Sequence, residues 1–183
     1  MLAYVFWHYS AVDPSLYETR LVAFHRALQS TKPDGFVRSA VYQIQGAPWL
    51  PRSTGYEDWY EVEDWAALGA LNTAAVFGQV GTEHNAVARL ADGGTAGLYR
   101  RERQAAEPMS QTASLWFAKP RETSYPEFTA RFDALPVGCT VWQRQMVLGP
   151  TPEFCIAGPE AAVAGLRLPF LEQARLVSRR PVF

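Results

Sequence analysis

The chain is expected to fold as one α+β domain made of two tandem β-α-β-β-α-β repeats, residues 1–104 and 110–183. Three observations predict this. A β-rich aromatic run, "LAYVFWHYS", gives way after Asp13 to helical spacing of Tyr17, Leu21, Phe24 and Leu28. The same order of strand and helix signals returns after residue 110. Short matches recur in a common order: "FHRAL" (24–28) with "RFDAL" (131–135), "WAALGAL" (65–71) with "EAAVAGL" (160–166), and "GLYRR" with "LVSRR".

Residues 2–10 open the chain as a strand, and Asp13 and Pro14 supply the cap and first turn of the helix that follows. "FVRSAVYQIQ" (36–45) is a strand, separated by a Pro-containing loop from a second, "YEDWYEV". From Asp64 a helix carries Trp65, Leu68, Asn72 and Ala75, and "GTAGLYRRE" closes the first unit. In the second unit "TASLWFAK" is a strand, and Ser124 with Glu127 forms a capping box for a helix bearing Tyr125, Phe128, Phe132 and Leu135. A hairpin of "CTVWQRQMVLG" and "EFCIAG", a short helix "PEAAVAGL" and a strand "ARLVSRRPVF" complete it. Leu71 to Leu98 spans 27 positions and Leu166 to Leu176 spans 10, so the first unit holds an insertion of 17 near residues 72–94. It is read as a short helix between glycine-rich turns, either a surface excursion or a lid.

A chain of 183 residues buries roughly 70% of its unfolded surface and needs no disulfide framework. Seventeen basic against eighteen acidic residues leave a net charge of -1, which gives no reason to expect nucleic acid or an anionic membrane as partner. No apolar run approaches a membrane span and no signal peptide is evident, so a cytoplasmic location is the expectation. A hairpin turning at "GPTP" (149–152) would put Cys155 opposite position 145 or 146, so Cys139 and Cys155 are expected to be buried free thiols.

The β-α-β-β-α-β unit is the ferredoxin-like arrangement, and two such units can cover each other's open sheet faces. The chain thereby resembles the dimeric α/β-barrel superfamily, with both halves fused in one chain. That superfamily includes antibiotic-biosynthesis monooxygenases, stress-responsive barrel proteins, muconolactone isomerases and the haem enzymes of the chlorite dismutase group. The resemblance implies a small-molecule pocket in the barrel, a homodimer, and a cofactor-independent monooxygenase or isomerase acting on an aromatic or polyketide-like compound. A non-catalytic ligand-binding or stress-related barrel is the alternative, and a self-pairing assembly module a third reading. No cofactor is expected. Haem is disfavoured because its proximal histidine in the chlorite dismutase group lies in the C-terminal half, and no histidine here follows His84.

Strand alternation chooses the lining. Tyr4, Phe6 and His8 share one face of the first strand, and Val5, Trp7 and Tyr9 the other. Arg38 and Tyr42 alternate with smaller residues suited to helix packing and are assigned to the barrel side, as are Trp142 and Arg144. Tyr4, Arg38, Tyr42, Trp142 and Arg144 are thus candidate substrate-binding residues. His8 is the candidate catalytic group, since an imidazole can accept a proton or polarise a carbonyl near pH 7; otherwise it is a core histidine bonded to a backbone carbonyl. His25, one step beside the apolar stripe of its helix, is expected to sit at the boundary between buried and exposed faces, and His84 either closes over a pocket or is solvated. With no HExxH, CxxC, phosphate-cradling or dinucleotide-binding pattern, no metal site is expected. The acidic run "YEDWYEVEDW" (56–65) reads most simply as an exposed strand face, with Trp59 and Tyr60 available to a pocket wall.

Overall fold

The computed structural model describes residues 1–78, 80–105, 111–146 and 149–183. Among these residues eight strands and five α-helices follow one another as β1 (Leu2–Tyr9), α1 (Pro14–Thr31), β2 (Phe36–Gln45), β3 (Thr54–Val62), α2 (Trp65–Asn72), α3 (Gly81–Ala88), β4 (Gly93–Arg103), β5 (Ala113–Phe117), α4 (Tyr125–Thr129), β6 (Thr140–Arg144), β7 (Phe154–Gly158), α5 (Glu160–Ala164) and β8 (Arg175–Pro181). The strands close into one antiparallel barrel in the order β1-β3-β2-β8-β5-β7-β6-β4, so the first four strands are contiguous and so are the last four. The boundary expected between residues 104 and 110 falls largely outside the described residues. No described helix is long and apolar enough to cross a membrane.

Local signals set the helix starts. The Asp13 carboxylate accepts from the backbone N–H groups of Ser15 and Leu16, with Pro14 in the first turn. Asp64 accepts from Ala67 N at 2.9 Å to start α2, and Ser124 and Glu127 form the reciprocal capping box of α4. Gly35, at φ +69°, turns the chain into β2 where a Cβ would stand 2.5 Å from that of Ala67. A π-helical turn, Thr73–Phe77, and α3 make up most of the inserted segment.

Closing the barrel covers both faces of its strands. The inward set includes Ala3, Val5 and Trp7 from β1, each 0% exposed. Trp7 meets Trp116 of β5 edge-on at 5.4 Å and Tyr99 of β4 at 6.1 Å, filling the interior with rings from both halves. Outside, two separate apolar layers lie between strands and helices. One joins Leu2, Tyr17, Leu21, Phe24 and Leu28; the other is a phenylalanine cluster of Phe117, Phe128, Phe132 and Phe154.

The β6–β7 hairpin departs from the expected register. Cys155 lies opposite Trp142, because β6 ends at Arg144 and β7 begins at Phe154, so the pairing does not start at the ends of "GPTP". Cys139 and Cys155 are buried and free. The acidic run is not an exposed face: Glu57, Asp58 and Glu61 are 0%, 2% and 4% exposed. β3 sits between β1 and β2, so its carboxylates are enclosed on whichever side they point.

Candidate functional site

Between the outer face of β1 and β3 and the helices above them lies a cavity of about 670 Å³. Its floor is Tyr4, Phe6 and His8 from β1 with Asp58 and Tyr60 from β3. Helix α1 adds Tyr17, Leu21 and Phe24; α2 adds Trp65 and Leu68. The inserted segment contributes Ala75, Val76, His84 and Val87, so it covers the cavity. Tyr4 and Trp65 are 37% and 51% exposed, which places them at the mouth.

Pairing explains why the polar groups converge. Phe6 lies directly opposite Asp58 in the β1–β3 ladder, and His8 opposite Tyr56, so His8 and Asp58 share the outer face two residues apart in register. The His8 Nε2 stands 3.1 Å from Asp58 Oδ1. That contact is not aligned as a hydrogen bond, and neither atom has another partner among the described residues. The Tyr60 hydroxyl donates to Asp58 Oδ2 at 2.9 Å, and His25 Nε2 is 3.5 Å from the same oxygen. On its other side, His8 Nδ1 is 2.7 Å from the Tyr17 hydroxyl. Phe6 stacks on the imidazole at 4.9 Å.

Burial would raise the Asp58 pKa, but the nearby imidazoles, His8 foremost, outweigh it and hold the carboxyl well below its ordinary range. Burial, and then the charge of Asp58, push the Tyr17 and Tyr60 hydroxyls up. The floor is thus a buried carboxylate flanked by two imidazoles and protonated phenols, a set that can hold and pass a proton. Both imidazole Nε2 atoms turn to the carboxylate, one to each oxygen, and no group of three potential ligands converges as a metal site among the described residues.

The six sequence-predicted residues divide between the two faces of the barrel wall. His8 and Tyr4 lie in the outer cavity. Tyr42 and Trp142 are buried in the barrel interior, 7% and 1% exposed. Arg144 donates to the Thr151 carbonyl, and Arg38, on the inward parity of β2, pairs with Glu61. The expected pocket inside the barrel is displaced to the outer face because tryptophan rings occupy the interior. His25 is no boundary residue; it is 0% exposed and stacks on Tyr60 at 5.1 Å. Sequence reasoning offered Tyr60 as a pocket-wall residue, and it lines the cavity, but it missed Asp58 and Tyr17. Tyr17 stood in the helix stripe, but its bond to His8 crosses between elements and leaves no local signal.

The other half of the barrel carries no such network at the matching place. Counting from the inward tryptophans Trp7 and Trp116, the next outward residues are His8 and Phe117. Asp58 lies opposite Phe6, one outward position earlier; its counterpart there is Ile156, opposite Leu115. Phe117 packs on Phe154 at 5.7 Å and Phe128 at 6.2 Å, closing the space that the first half leaves open. By that parity the position matching His8 is Phe117.

No protein-family model matches the chain, and no curated protein matches it at a significant level. Among solved structures it is similar to the "putative monooxygenase" of Lactobacillus acidophilus NCFM, with a TM-score of 0.64 at 8% identity over 100% of this chain and 94% of that one. It is also similar to an "anthrone oxidase-like protein", with a TM-score of 0.49 at 9% identity over 99% and 93%. At such identities the first likeness shows a shared α+β barrel fold.

Proposed function

We propose that the outer cavity is a small-molecule site in which His8, backed by Asp58, acts as the base of a cofactor-independent monooxygenase on a hydroxyaromatic or polyketide-like compound. The observation that carries this is the buried Tyr17–His8–Asp58 network at the floor of a largely apolar cavity of about 670 Å³. The chain is read as two tandem ferredoxin-like repeats of the dimeric α/β-barrel type. The strand orders β4-β1-β3-β2 and β8-β5-β7-β6 support that reading. A homodimer would use a surface other than the barrel seam, because one chain already closes all eight strands.

The chemistry needs an activated ring CH₂ or a hydroxyl that shares its acidity. A ligand hydroxyl beside Oδ1 gives its proton to the His8–Asp58 pair, and the carboxylate stabilises the imidazolium, as in other carboxylate–histidine pairs. The carbanion passes an electron to dioxygen, a C–O bond forms, and the peroxide takes back the proton. Loss of water leaves a carbonyl, so CH₂ and O₂ become C=O and H₂O. The apolar walls keep the reactive intermediate from solvent.

Oxygen uptake with a panel of anthrones and naphthoquinols, followed by mass analysis of products, tests the reading. Turnover that falls by about 10²- to 10⁴-fold in His8→Phe is expected. Saturable binding with no oxygen uptake on the whole panel would overturn the enzymatic reading in favour of a ligand-binding barrel.

A further inference from the structure

The cavity also carries an imidazole on its cover. His84, in the first turn of α3, lines it, and its Nδ1 is buried with no hydrogen-bond partner among the described residues. The ring packs edge-on against Phe24 at 5.7 Å, which fixes its plane. A buried imidazole nitrogen without a partner costs free energy that an incoming donor or acceptor recovers. His8 and Asp58 project from the strand floor, His84 from the inserted helix, and between them the lining is apolar, with Leu21, Phe24, Leu71 and Val87. Asp58 is the one acidic residue among the described lining residues, and none of them is Lys or Arg. A carboxylate or phosphate brought here would lose its water without gaining a counter-ion.

We infer that His84 is the second anchor of the site, selecting an uncharged aromatic ligand with two separate hydroxyls, one held at the His8–Asp58 floor and one at His84 Nδ1. A hydroxyl suits that position because it donates or accepts according to the imidazole tautomer. This inference rests on the reading of the cavity as a ligand site and adds the residue that discriminates among ligands.

The test is calorimetric titration of three probes of one ring size: 2-naphthol, 2,6-dihydroxynaphthalene and 6-hydroxy-2-naphthoic acid. The diol is expected to bind about three- to tenfold more tightly than the naphthol, the worth of one neutral hydrogen bond, and the acid at least about tenfold more weakly than the diol. His84→Phe should erase the diol's advantage over the naphthol, and His84→Asn, which offers polar atoms near Nδ1, should restore part of it. A diol advantage that survives in His84→Phe, or its absence in the wild type when both probes bind, overturns the role of His84 and leaves the cavity reading intact. If neither probe binds the wild type, the cavity reading falls and this inference with it.

Discussion

Arg179 of β8 and Glu57 of β3 form an ion pair inside the barrel, both side chains 0% exposed. The guanidinium lies over the rings of Tyr42 and Trp59, at 5.0 and 5.2 Å. The carboxylate accepts from the indole N–H groups of Trp7 and Trp59, each at 2.6 Å. The pair therefore ties a strand of the first half to the last strand of the second through an aromatic core.

Breaking such a pair leaves a buried charge without its partner. Glu57→Gln is expected to lower unfolding free energy by about 3–5 kcal/mol, while Glu57→Leu combined with Arg179→Met, which removes both charges, recovers most of that loss. Urea unfolding of the three proteins checks this. A Glu57→Gln midpoint equal to wild type, or a double variant less stable than the single, would contradict it.

Asp58 makes stability depend on pH in a defined direction. Its folded-state pKa lies below the ordinary 3.8, so on acidification the unfolded chain takes up this proton first. The contribution of Asp58 is thus complete above the unfolded value and is lost as pH falls through the folded one. The stability gap between wild type and Asp58→Asn should be widest above about pH 5 and narrow steadily below about pH 4. Denaturation midpoints measured across that range would refute the assignment if the gap stayed constant.

What was legible in the sequence was local. The caps at Asp13, Asp64 and Ser124 and the stripe Tyr17, Leu21, Phe24 and Leu28 each need only neighbours within a turn or two, and they stand where expected. Alternation correctly grouped Tyr4, Phe6 and His8, but it left open which group faces the barrel. With helices outside and tryptophans inside, Trp7 and His8 are 0% and 1% exposed, so the usual polar side of a strand disappears. The acidic run was misread for a related reason. Carboxylates signal solvent unless partners are known, and the basic side chains that Glu57 and Asp58 face, Arg179, His8 and His25, are all distant in sequence.

The contrast between the two halves yields a test that separates site from scaffold. Where the first half has His8 and Asp58, the second has Phe117 and Ile156 in a closed phenylalanine cluster. His8→Phe alone strands the Asp58 carboxylate with Tyr60 and His25, and Asp58→Ile alone leaves the buried His8 Nε2 without the carboxylate it faces. Each single variant is expected to cost about 1–3 kcal/mol. Together they copy the apolar solution that the other half already uses, so the double variant should be at least as stable as the less damaged single, a non-additivity of about 1 kcal/mol or more by urea unfolding. It should also lose ligand-dependent oxygen uptake entirely. Additive losses, with the double the least stable of the set, would mean that the polar network holds the fold together. Recovered stability with lost turnover is what a network retained for chemistry predicts, because only function then remains to explain two buried polar groups that packing does not need.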